Sequence, residues 1–243
     1  MTKKYIYNPK TQGSGIITCI PQTGKCPNGC SDCFFQSGRS YLEPLSENLP
    51  QIPDLVTSLG RVVRINDGND SNVDRDLVEE VSARFQDCFF NTAIPHKLEK
   101  FTRPVVLTVN PSLLTDDSFR KLEVIPDNLM FVRIRSNMWN VEKVIAPAVA
   151  FYTSKNVPVV LTFMAYYTDA VPEVYRECYE WKKRTLNSYW VLKREYVDKI
   201  MTMFKDNPFV YSCGVKGRYE CKFCGNCIRE YYNTKERIRI REE

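Results

Sequence analysis

Leu129-Met130-Phe131-Val132-Arg133-Ile134-Arg135 is an apolar, β-branched run of strand length whose second half alternates charge with hydrophobe. Successive side chains of a strand point to opposite faces, and a strand covered on both faces normally reads as apolar throughout. Arg133 and Arg135 therefore put charge on one face of an otherwise buried strand. Arg64 with Asn66, Thr108 with Asn110, and Thr162 repeat this pattern toward the C-terminal halves of the runs at 61–66, 104–109 and 158–164. Two further runs, 15–20 and 209–213, bring the candidate strands to six.

Helical patterns separate several of these runs. Residues 73–87 place Leu77, Val78, Val81 and Phe85 on one face, behind the cap-like Ser71 and Asn72. Residues 141–154 bury Val144, Ile145, Ala148, Val149 and Tyr152, with Pro147 implying a kink or a late start. Residues 189–205 turn Val197, Ile200, Met201 and Phe204 inward. Strands alternating with crossover helices predict an α/β fold on a parallel sheet: an open or partial barrel, with a doubly wound sheet as the competitor. A barrel with a polar lumen accounts for the four alternating strands, and active sites of such barrels lie at the strands' C-terminal ends.

The chain of 243 residues carries 43% hydrophobic and 26% charged residues, a globular composition. It suits one domain over 1–212 with a cysteine-rich extension over 213–243. No signal-peptide-like start and no spanning apolar run are visible, so a cytoplasmic protein without a membrane partner is expected. Ten cysteines in a reducing compartment point to metal or redox chemistry rather than disulfides. The formal charge is +5; thiolates on two clusters would lower it to about +2, which argues against a nucleic-acid partner.

The loop after the first strand reads Cys26-Pro27-Asn28-Gly29-Cys30-Ser31-Asp32-Cys33, a C-x3-C-x2-C spacing on turn-forming residues. Three thiolates can hold three irons of a [4Fe-4S] cube and leave the fourth open for chemistry. Zinc with a distant fourth cysteine is the alternative. Spacing and position resemble the radical S-adenosylmethionine (SAM) superfamily over residues 15–213. That resemblance implies a partial (β/α)6 barrel and a cluster on Cys26, Cys30 and Cys33. SAM would be bound and reductively cleaved to a 5′-deoxyadenosyl radical that abstracts hydrogen from a substrate. It further implies an electron donor such as flavodoxin or ferredoxin.

By the same resemblance, the loop Asn66-Asp67-Gly68-Asn69-Asp70 corresponds to the family's Gly-Gly-Glu segment. Asp67 or Asp70 would then meet the SAM amino group and Gly68 would allow a close backbone approach. Asp-Gly-Asn-Asp is also ordinary turn chemistry. Asn110, Arg135 and Ser136 fall where the family contacts the SAM carboxylate and ribose, and a guanidinium suits a carboxylate. Asp32 stands where many members carry an aromatic residue, which passes adenine packing to Phe34 or Phe35. Arg64 and Arg133, lining the lumen, point to an anionic substrate.

A second motif, Cys213 with Cys221-Lys222-Phe223-Cys224-Gly225-Asn226-Cys227, supplies four ligands for an auxiliary [4Fe-4S] cluster or, alternatively, zinc. Within the class, a glycyl-radical-enzyme activase or a peptide-modifying enzyme suits the size. Outside it, the alternative is a non-catalytic zinc or iron-sulfur protein. Cys19, Cys88 and Cys178 read as small buried hydrophobes, and His96, the only histidine, lacks an orienting partner. The aromatic residues of 175–190 read as packing, and 235–243 as a frayed or helical end.

Overall fold

The computed structural model describes residues 4–24, 26–29, 50–110, 122, 124–167, 170–183, 188–214, 218 and 220–243. Ten strands are present among them: β1 (Ile16–Cys19), β2 (Val62–Ile65), β3 (Cys88–Thr92), β4 (Val105–Val109), β5 (Leu129–Ser136), β6 (Val159–Phe163), β7 (Ala165–Tyr167), β8 (Tyr179–Lys182), β9 (Tyr189–Leu192) and β10 (Val210–Ser212). Six α-helices join them: α1 (Leu55–Ser58), α2 (Arg75–Ser82), α3 (Ala146–Thr153), α4 (Arg194–Met203), α5 (Cys221–Cys224) and α6 (Asn226–Glu242). The main sheet has seven strands in the order β1-β2-β3-β4-β5-β6-β10, every pair parallel. An α/β architecture with a parallel sheet is thus observed, and its sequential order departs from a doubly wound sheet.

All six expected strands are present. The seventh, β3, begins directly after the stretch expected as a helix over 73–87; α2 stops at Ser82, and Cys88-Phe89-Phe90 turns back into the sheet. The cap of α2 is Asp74, whose carboxylate accepts from the Leu77 amide, rather than Ser71 or Asn72. Those two are engaged elsewhere: Ser71 Oγ accepts from Asn66 Nδ2 at 3.0 Å, and Asn72 Nδ2 donates to the carbonyls of Ile94 and His96. Pro147 does impose a late start, because a ring nitrogen cannot close a helical turn behind it. Val141–Ile145 instead form a wider π-type turn, and α3 begins at Ala146. The helix expected over 189–205 is shortened to α4, its first four residues pairing as β9 in a three-stranded antiparallel sheet of order β7-β9-β8.

The two faces of the main sheet are covered differently. On one face Ile17, Val63, Ile65, Phe90, Leu107, Ile134 and Leu161 pack under α2, α3 and α4, in the main hydrophobic core. On the other, Val62, Phe89, Val106, Phe131 and Val160 pack against Tyr231 and Ile228 of α6. Helix α6 reaches toward the strands' N-terminal ends. The Tyr231 hydroxyl donates to Asp87 at 2.9 Å, and Arg237 Nη2 donates to the Leu129 carbonyl at 2.7 Å. Among the described residues no helix is long and apolar enough to cross a membrane.

Candidate functional site

Above the apolar stripe covered by α6, the same face turns polar. Two residues after Phe131 comes Arg133, whose Nη1 lies 3.3 Å from Asn91 Oδ1 and 3.4 Å from Thr108 Oγ1. Two residues further, Arg135 Nη1 donates to Asn110 Oδ1 at 2.8 Å, and its Nε approaches the Met164 sulfur at 3.0 Å. Thr162 pairs in register with Arg135, and its buried hydroxyl has no protein partner among the described residues. Ser136 Oγ turns back to the Ile134 carbonyl at 3.2 Å. The alternation read along the strands thus marks a polar face. Asn66 is the exception, since it has φ 59°, which asparagine tolerates better than most residues. That conformation ends β2 and turns Asp67 back toward Arg64.

The loop after β2 is tightly held. Asp67 forms an ion pair with Arg64, Nη2 to Oδ1 at 2.7 Å, and accepts from Asn8 Nδ2. Asn69 Oδ1 accepts from the Asp70 amide at 2.9 Å. The Asp70 carboxylate accepts from Thr92 Oγ1 (2.6 Å), the Ala93 amide (2.7 Å), the Asn72 amide (2.9 Å) and Asn28 Nδ2 (2.8 Å). Gln22 adds a fifth tie, its side-chain Nε2 donating to the Asp70 backbone carbonyl at 2.8 Å. Asp70 therefore binds the segment carrying Cys26 and Asn28 to the ends of β2 and β3. Gly68 is buried and Cys26 is half-buried. Cys30, Cys33, Phe34 and Phe35 lie outside the described residues.

The cysteines of the second motif are neighbours on the side of the polar face. Cys213 follows β10, Cys221 and Cys224 bracket α5, and Cys227 sits in the first turn of α6. Gly225 links the two helices with φ 63°, a left-handed conformation that costs a residue bearing a Cβ. Asn226 Nδ2 fastens the start of α6 to the Ser212 carbonyl at 2.9 Å. The Cys213 and Cys224 thiols are in hydrogen-bond contact. This contact pushes Cys224 down to about 5, helped by the backbone amides of Asn226 and Gly214 against the opposing effect of burial. Cys213 is shifted up by the same contact and then by burial. Burial also raises Cys221, against the field of Arg64.

Arg64 projects from β2 into this group. It is 7% exposed, and its Nη1 lies 3.9 Å from Cys221 Sγ. Burial disfavours its charge, yet Asp67 and the Cys221 and Cys227 sulfurs hold the guanidinium well above its usual range. Its Nε is buried with no protein acceptor among the described residues. Arg133 stands on the other flank, within electrostatic reach of Cys213. Both arginines read as substrate ligands in the sequence are thus neighbours of the C-terminal thiols. Sequence reasoning could not supply that pairing, because Arg64 and Cys221 are 157 residues apart.

The donor set suits a thiophilic metal group: four sulfurs, none in a disulfide, beside an orphaned buried N–H. As placed, no three described cysteine, histidine or carboxylate side chains close on a point that would hold a single ion. The lone cysteines Cys19, Cys88 and Cys178 are buried in the core, and burial pushes the Cys88 thiol up to about 11. His96 is exposed. Comparison with known proteins found no matching family model, no matching curated protein and no matching solved structure.

Proposed function

We propose that the chain is an iron-sulfur enzyme of the radical SAM type, its parallel sheet curved into a partial barrel of seven rather than six strands. One observation carries the reading. The Cys26 segment is tied through Asn28 and Gln22 to the Asp67–Asp70 loop at the C-terminal edge of a parallel sheet, on whose polar face four further cysteines gather. C-terminal strand edges are where parallel α/β sheets bind ligands.

Cys26, with Cys30 and Cys33, would hold a [4Fe-4S] cluster with an open iron, and Cys213, Cys221, Cys224 and Cys227 a second one. A cube accepts its thiolates at different irons, so these need not share one point. Held there, the first cluster would supply the electron for reductive cleavage of SAM.

The protein's own part is positioning and screening. Arg135, steadied by Asn110, presents a guanidinium suited to a carboxylate at the strand edge. The Asp70 carboxylate already receives four donors, so its place in the scheme is to fix loop geometry; Asp67 is the carboxylate left to meet an ammonium group, in competition with Arg64. Helix α6 covers the apolar half of the face below the site, where it would help to exclude water from the chemistry. A low-potential electron donor completes the requirement.

Anaerobic reconstitution with iron and sulfide, followed by dithionite and SAM, tests this. The expected result is about eight irons per chain and formation of 5′-deoxyadenosine. About four irons with zinc retained would reduce the C-terminal group to a structural zinc site, and no iron with intact SAM would overturn the proposal.

A further inference from the structure

We infer that Arg64, with Arg133 on the opposite flank, is the outer-sphere cation that sets the reduction potential of the C-terminal cysteine site. The inference rests on the iron-sulfur reading of that site and adds a role for residues that the sequence alone assigned to a substrate.

The geometry argues for it in three ways. A guanidinium buried to 7% exposure is costly unless it is paired and its N–H groups are satisfied. Asp67 takes one edge of it, at 2.7 Å. Its remaining side faces sulfur, with Nη1 at 3.9 Å from Cys221 Sγ and Nε without an acceptor in the protein. Secondly, the arginine is on a strand paired on both sides rather than on a loop. Its backbone is fixed in register between Thr18 of β1 and Phe89 of β3, and the Asp67 ion pair holds the guanidinium. Thirdly, Arg133 brings another cation to the Cys213 side, held by Asn91 and Thr108.

Reducing a [4Fe-4S] cluster adds one negative charge, and its potential follows net charge and hydrogen bonds to its sulfurs. Cations fixed beside the thiolates favour the reduced form. Arg64, which also carries an N–H toward sulfur, contributes more than Arg133, whose donors go to Asn91 and Thr108. Asp67 acts against them by neutralising part of the Arg64 field. These are positioning and tuning roles, separate from contact with any reacting substrate atom.

The test uses the full chain with Cys26, Cys30 and Cys33 all changed to Ala, so that iron can occupy the C-terminal site alone. Its potential is measured by anaerobic redox titration followed by electron paramagnetic resonance. Arg64→Met should make reduction about tenfold less favourable, which for one electron is a shift of about 59 mV to lower potential. Arg133→Met should move it in the same direction by less, and Asp67→Asn should move it upward. Unchanged potentials, or a downward shift in Asp67→Asn, would overturn the tuning role even though the cluster is present. If Arg64→Met loses its iron, the sign of the Asp67→Asn shift decides. Absence of iron from the parent protein would instead sink the cluster reading and this inference with it, an outcome distinct from a bound cluster with unmoved potential.

Discussion

The two faces of the main sheet are made from alternate residues of the same strands, yet they do different work. Under α2, α3 and α4 the face is apolar from end to end: Ile17, Val63, Phe90, Leu107, Ile134 and Leu161 are buried in one continuous core. Across the sheet, one residue along each strand, the face is apolar only where α6 lies on it and then changes to Arg64, Asn91, Thr108, Arg133 and Arg135. Stability comes chiefly from the first face and the lower half of the second. Chemistry has room only where hydrophobic packing stops.

Perturbing residues of each kind should break or sharpen this contrast. Phe90→Ala removes a fully buried ring stacked on Phe101 at 4.9 Å between centroids, and should cost about 3–5 kcal/mol in urea unfolding. Gly225→Ala forces a Cβ into a left-handed turn and should cost about 1–2 kcal/mol, and on the proposed iron-sulfur reading it should also lower the iron bound by the reconstituted C-terminal cysteines. A full metal content in that variant would mean that the α5–α6 turn does not govern cysteine placement.

Tyr231→Phe deletes the hydroxyl on Asp87 and should cost about 1 kcal/mol. It should also flatten the acid limb of stability. Burial works against the Asp87 charge, but the Lys235 ammonium and the Tyr231 hydroxyl outweigh it and hold the carboxyl below its ordinary range. A group depressed in the folded state stabilises above its unfolded pKa of about 3.9 and loses that contribution as pH falls through the folded value. Comparing urea midpoints of wild type and Tyr231→Phe at pH 7 and pH 3 checks it; an equal gap at both would exclude this linkage. Arg133→Met, on the polar half, should cost no more than about 1 kcal/mol. A cost like that of Phe90→Ala would show the polar half to be core after all.

Much of the frame was legible from periodicity. Six strands and the inward residues of three helices could be read because each carries an uninterrupted pattern of two or of three to four. Strand β3 escaped because Cys88-Phe89-Phe90 abuts a helical pattern and lacks β-branched residues. The small sheet escaped for a related reason: Tyr179, Trp181, Tyr189 and Trp190 are good strand residues, but their aromatic density reads equally as packing. Both effects occur, with Trp181 and Trp190 paired across β8 and β9 at 5.0 Å. At the site, the polar face was visible in the alternation of Arg133 and Arg135, whereas its partner was not. Which loop or helix meets Arg64 is decided by topology, and no local pattern encodes a contact spanning 157 residues.

Helix α6 follows all ten described strands in the sequence, and the order of synthesis gives that a kinetic meaning. Tyr231 meets Asp87 across 144 residues, and Arg237 meets Leu129 across 108. Contacts of such separation form late, because the chain must first surrender the entropy of a very large loop. While the nascent chain is still on the ribosome, Val62, Phe89, Val106, Phe131 and Val160 present a five-strand apolar stripe with nothing over it. The polar face is therefore most open to any ligand, and the protein most exposed to chaperones and to aggregation, in the same interval before that helix docks.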